Sequence, residues 1–245
     1  MFYRFVVVYL LNSWRSAPRS FFRGDIGVNN DVTELVLILD RSGSMSSCAR
    51  STVDCFNDFI EKQKRENSGA VYVSVVLFNH EREVLYNRVG LYDVRPLTVE
   101  QFHARGCTAL YDALASGIHH IGTAYKYARP DDVPSKTIFV VITDGEENSS
   151  RLYTLEETRK MVEREIREYG WEFLFFGANL QAKEVAKALG FKEENAVDYI
   201  CDEIGSTQTY AALNAFVSHF RKEGRASSDW RAGVDRDYQT RKKTR

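Results

Sequence analysis

A chain of 245 residues with 44% hydrophobic side chains is long enough for one α/β domain with extensions, marginal for two, and too apolar for wholesale disorder. Its formal net charge of -1 provides no chain-wide attraction to nucleic acid, and no run approaches the ~20 apolar residues of a membrane-spanning helix. Four cysteines, Cys48, Cys55, Cys107 and Cys201, form no CxxC or related spacing and read as reduced thiols of a cytoplasmic protein, with Cys48 and Cys55 packing on one helix.

Residues 1–30 read as an irregular extension. The apolar run Phe5 to Leu11 is barely the length of a signal-peptide core, and Pro18 after Ala17 spoils a small-residue cleavage site. Arg4, Arg15, Arg19 and Arg23 precede the first acid, Asp25, so export or organelle targeting is the lesser alternative. The first regular element is Glu34 to Asp40, ELVLILD, a continuously apolar run ending in an acid, as expected of a buried parallel strand. The Ser- and Gly-rich turn RSGSMSS follows. A helix is predicted from about Ser47 to Glu66, with Val53, Phe56, Phe59 and Ile60 at helical spacing and Asn67-Ser68-Gly69 as its stop.

Val71 to Phe78 is a second strand, rich in β-branched and aromatic residues. Glu83 to Val89 is a more polar strand, close enough to form a hairpin with it and so an antiparallel edge. Then come a helix at Ala109–Tyr125, a buried strand at Lys136–Thr143, a helix at Leu155–Tyr169, a strand at Trp171–Phe176, a helix at Gln181–Leu189, a short strand at Ala196–Ile200 and a last helix at Thr207–Phe220. Strands alternating with helices imply an α/β, doubly wound, mostly parallel sheet with helices on both faces and one antiparallel edge strand. Residues 31–223 form one domain in this reading. Residues 224–245 are a polar, basic tail, expected to be solvated and disordered.

Ligands of doubly wound folds bind at the carboxyl ends of the strands. Asp40 and Asp144 each terminate one of the most apolar strands, and on adjacent strands they would share one rim. Two such carboxylates repel each other unless a cation or proton intervenes. Ser42 and Ser44, alternating about Gly43, can point both hydroxyls toward that rim, and Thr108 can supply a third from the loop RGCTAL. Oxygen-only donors select Mg²⁺, Ca²⁺ or Mn²⁺ over Zn²⁺ or Cu²⁺, and Mg²⁺ is the expected ion.

Asp40-Arg41-Ser42-Gly43-Ser44, then Thr108, then Asp144-Gly145 resembles the metal-ion-dependent adhesion site of von Willebrand factor A-type (vWA) domains, whose pattern is DxSxS, a distant Thr and a distant Asp. All five positions are matched in order. The resemblance covers about Thr33 to Phe220 and extends to the small stand-alone bacterial and phage members of the family. It implies direct coordination by Ser42 and Ser44, coordination by Thr108 in the ligand-bound arrangement, and action of Asp40 and Asp144 through water or hydrogen bonds to the serines. It also implies a binding module rather than an enzyme, whose cation takes an Asp or Glu of a protein partner. An AAA-type ATPase is one such partner; neither membrane nor nucleic acid is expected.

The enzymatic alternative is a phosphatase of the haloacid-dehalogenase type. It needs a second acid two residues after the nucleophile, where this chain has Ser42, and its lysine would have to be Lys136, at the far end of the strand before Asp144. No GxGxxG or GxxxxGK[ST] follows the first strand. Among the histidines, only His103 lies near a candidate ligand, as a possible rim residue. Glu146 and Glu147 read as solvated loop acids, Cys107 as a packing residue, and Arg41 and Met45 as side chains directed at the binding face, where they help select the partner.

Overall fold

The computed structural model describes residues 29–66, 68–178 and 181–242, so the expectation for the extension lies, up to residue 28, outside the described residues. The elements in chain order are β1 (Asn29–Asp40), α1 (Ala49–Arg65), β2 (Ala70–Phe78), β3 (Arg82–Gly90), the single turn α2 (Val99–Phe102), α3 (Leu110–Tyr127), β4 (Pro134–Thr143), α4 (Leu155–Tyr169), β5 (Glu172–Ala178), α5 (Ala182–Ala188), β6 (Ala196–Tyr199), α6 (Glu203–Glu223) and α7 (Ala232–Lys242). A 3-10 turn, Gly43–Ser47, separates β1 from α1. The six strands form one sheet in the order β3-β2-β1-β4-β5-β6. Every neighbouring pair is parallel except β2 and β3, which are antiparallel as the hairpin predicted.

The central strands β1, β4 and β5 are buried on both faces, which is why they read as unbroken apolar runs. On one side Leu35, Leu37 and Leu39 of β1 and Ile138, Val140 and Ile142 of β4 pack beneath α1 and α6. On the other, Val36, Ile38, Phe139 and Val141 meet α3, with Trp171, Phe173 and Phe191 extending the cluster. Local signals set the helix ends. Thr154 and Glu157 form a capping box at the start of α4, and Gly170, at φ 67°, closes it in the left-handed conformation. Asp202 accepts from the Gly205 N–H and starts α6 four residues earlier than the periodicity indicates.

Two expectations are corrected. The tail is not disordered over its described residues: α7 occupies half of it. Trp230 is buried, with its ring edge-on to Phe216 (5.1 Å) and Phe176 (6.1 Å), and Val234 is fully buried. Part-buried Arg231–Asp235 and Arg241–Asp237 pairs brace the helix, and Arg241 also bridges to Asp202 at 2.6 Å. The cysteines are not all thiols either. Cys48, between the 3-10 turn and α1, is joined by a disulfide to Cys201, just beyond β6, across a sequence separation of 153. Cys55 and Cys107 are free, and Cys107 is exposed rather than packed.

Candidate metal centre

β1 and β4 are adjacent and in register, Leu39 opposite Ile142, so their ends bring Asp40 and Asp144 to one rim. Asp40 is fully buried. Its Oδ1 accepts from the Ser42 N–H at 2.6 Å and its Oδ2 from the Thr143 hydroxyl at 2.6 Å. Both carboxylate oxygens thus hold the turn and the neighbouring strand in place, with Ser42 buried and Ser44 exposed on the turn. Ser42 Oγ and Ser44 Oγ lie 3.1 Å apart, and Ser44 Oγ donates to Asp144 Oδ1 at 2.6 Å.

Thr108 arrives from a third loop. Its N–H donates to Asn148 Oδ1 at 2.9 Å, and its carbonyl accepts from the Asn148 and Ser149 N–H groups at 3.0 and 3.1 Å. The five residues predicted from the sequence therefore meet at one place. A methyl group built on the Gly145 Cα would lie 2.7 Å from Thr108 Oγ1, 3.3 Å from Ser44 Oγ and 3.5 Å from Ser42 Oγ. Three hydroxyls thus surround a small space that glycine leaves open, and they fit a hard dication. Among the described residues no group of three or more His, Cys, Asp and Glu side chains could hold a metal, so hydroxyls must supply much of any such centre.

Electrostatics point the same way. Burial pushes the Asp40 carboxyl up to about 6, against the opposing hydrogen bonds from Thr143 and Ser42, and the nearby charge of Asp144 adds to the rise. Burial also raises Asp144. Two buried carboxylates gain when a cation joins them.

Main-chain hydrogen bonds lace the serine turn, the Thr108 loop and the β2–β3 loop together. Arg105 N–H donates to the Arg41 carbonyl, Gly43 N–H to the Gly106 carbonyl and Ala109 N–H to the Asn79 carbonyl, at 2.8–2.9 Å. The buried Asn79 adds a bond from Nδ2 to the Arg105 carbonyl. Gly106, at φ 77°, sits so close to His80 that a Cβ would fall 2.3 Å from Nδ1. Asp112 at the start of α3 accepts from the N–H groups of Arg151, Leu152 and Tyr153. Glu147 folds back onto Ser149, Ser150 and Tyr111, which makes it a loop clamp rather than a solvated acid.

Arg41 and Met45 depart from expectation. Arg41 turns sideways to Glu83 (2.7 Å) and the Gln101 carbonyl, and Met45 is fully buried beside Cys48. His103 ends α2 at φ 29° and lines a neighbouring cleft of about 420 Å³ with Arg41, Glu83, Gln101 and Arg105, apart from the ring of hydroxyls. Thr143, Asn79, Asp112 and Asn148 escape a motif reading because their roles depend on which strands and loops become neighbours.

A doubly wound, mostly parallel sheet with one antiparallel edge is a vWA-like fold, and the ring of hydroxyls lies on its carboxyl rim. Solved structures share the fold: a von Willebrand factor type A protein from Catenulispora acidiphila (TM-score 0.55, 18% identity, 77% of this chain and 43% of that one) and proximal thread matrix protein 1 from the mussel byssus (TM-score 0.52, 14% identity, 76% and 46%). A further structure of the mussel protein carries a zinc-occupied MIDAS motif (TM-score 0.51, 13% identity, 79% and 47%). The chain spans less than half the length of each of these proteins. No protein-family model and no curated protein matches the sequence.

Proposed function

We propose that this domain is a metal-dependent protein-binding module. Ser42, Ser44 and Thr108 hold a divalent cation through their hydroxyls, Asp40 fixes the serine turn from behind, and Asp144 orients Ser44. Mg²⁺ is the expected ion, with Mn²⁺ or Ca²⁺ as substitutes. An ion held mainly by neutral hydroxyls keeps most of its charge and offers it to an outside carboxylate, the Asp or Glu of a partner protein. The observation that carries this reading is the convergence of the three hydroxyls on the space beside Gly145. The mussel protein with zinc in its MIDAS motif supports a divalent ion at such a site.

The phosphatase reading loses its lysine: Lys136 Nζ donates to the Arg221 carbonyl, at the opposite end of the sheet from Asp144. Among the described residues no helix is long and apolar enough to cross a membrane. The cytoplasmic placement drew on reduced thiols, and the Cys48–Cys201 disulfide removes that support. An AAA-type ATPase, which the family resemblance implies, is the first partner to try in capture experiments.

The test is calorimetric titration of metal-stripped protein with Mg²⁺ and Mn²⁺ beside an Asp40→Ala, Ser42→Ala variant. Saturable binding by the wild type, absent from the folded variant, is expected. No binding by folded wild type, with or without an added acidic peptide, sinks the reading.

A further inference from the structure

Tyr199 ends β6 on the same carboxyl rim. The register places Thr143 opposite Gly177 and Gly177 opposite Asp198, so Tyr199, paired with Ala178, stands one row further out, level with Asp144. Side chains alternate along a strand. Ile142, Phe176, Ala178, Val197 and Tyr199 therefore share one face, with Leu39 and Met45, and the same alternation returns Asp144 to it. Ala178 stands between Tyr199 and Asp144 in this row, which crosses two strand spacings of about 4.8 Å each. Among the charges that act on the Tyr199 phenol, Asp144 comes first, ahead of Asp40, as their places on one row require.

That hydroxyl is buried and unpaired, and its place on the rim beside Asp144 sets it apart. Tyr199 is 2% exposed, and its Oη is buried without a hydrogen-bond partner. Buried polar groups are nearly always paired, and an orphan costs on the order of a hydrogen bond. Burial first, then the negative charge of Asp144, holds the phenol far above its ordinary range, so it stays an O–H donor. A donor without an acceptor, beside a cradle suited to a cation, indicates what completes it.

We infer that Tyr199 is a positioning residue of the metal centre, its O–H donating to a water held against Asp144 when the cation is bound. This rests on the metal reading above and adds a fourth loop, the β6–α6 corner, to the site.

The experiment pairs Tyr199→Phe with Tyr210→Phe. Tyr210, on α6 against Phe59, has an equally buried and unpaired hydroxyl, and serves as control. In metal-free protein both variants should melt at or up to about 3 °C above wild type, because each loses an orphan. With Mg²⁺, Tyr199→Phe should bind roughly 5- to 10-fold more weakly than wild type, while Tyr210→Phe binds as wild type does. Wild-type affinity in Tyr199→Phe overturns the inference alone, and so does a metal-free Tyr199→Phe that melts well below wild type, the mark of a packing role. A wild type that takes up no Mg²⁺ overturns the metal reading and this inference together.

Discussion

The Thr143 hydroxyl donates to Asp40 Oδ2 at 2.6 Å across adjacent strands, and with this bond both oxygens of a fully buried carboxylate are engaged. Asp40 therefore aims the serine turn from beneath. Replacing Thr143 with Val keeps the shape and deletes the donor. The variant should lose about 1–3 kcal/mol of stability, because a buried carboxylate is left partly unpaired, and should bind Mg²⁺ more weakly. Urea denaturation and calorimetry check both; wild-type values in each would mean that Asp40 needs no help from β4.

Gly145→Ala tests the cradle most directly. The added methyl group would intrude on the space shared by Thr108, Ser44 and Ser42 hydroxyls, 2.7 Å from the first. Mg²⁺ binding should be abolished while the circular dichroism spectrum stays native. Retained binding would place the cation elsewhere.

Far from the rim, Glu34 of β1 is fully buried and paired with Arg88 Nε at 2.8 Å. Burial raises its carboxyl to about 7 from 4.5, against the lowering influence of the Arg88 guanidinium. A folded value above the unfolded one means that the native state binds the proton more tightly. The contribution to stability is full below about pH 4.5 and is lost as pH rises through 7, on the order of 3 kcal/mol in all. Asp40 titrates in the same sense, so the comparison is between wild type and Glu34→Gln. Denaturation midpoints from pH 4.5 to 8 should fall less steeply in the variant; parallel curves would remove Glu34 from the account.

The Cys48–Cys201 bond closes a long loop, which constrains the unfolded chain. Cys201→Ser should lower stability by about 2–4 kcal/mol. Thiol titration of denatured, unreduced protein should find Cys55 and Cys107 reactive and the other two silent. Four reactive thiols would restore the reduced reading.

Trp230→Ala should cost about 3–5 kcal/mol, since the indole covers Phe216 and Phe176. A melting temperature within a degree of wild type would return residues 224–245 to the status of a loose tail.

The sheet, its single antiparallel edge and the five ring residues were legible because each leaves a local trace: unbroken apolar runs, a short hairpin, Asp40 at a strand end and hydroxyls at alternate positions. What stayed hidden depends on neighbours distant in sequence. Thr143 reads as one more β-branched strand residue until β1 lies beside it. Cys48 and Cys201 have no spacing relationship and meet only at the β6–α6 corner. α7 hid because its polar sequence fully buries Val234 alone and leans on Trp230 just before it, too few apolar positions to show a period. Met45 was misdirected because the 3-10 turn rotates it into the core, and Arg41 because Glu83 and the Gln101 carbonyl, distant in sequence, draw it sideways.

The bonds between Arg105 and Arg41, Gly43 and Gly106, and Ala109 and Asn79 join main-chain atoms. The loop backbone is thus held largely without the outward side chains of the cleft beside the ring, His103 and Arg105 among them. Such a rim is an interchangeable faceplate on a fixed mount. A library varied at Glu81, Glu100, His103 and Arg105 should retain the fold throughout, and selection from it would yield binders for different acidic epitopes.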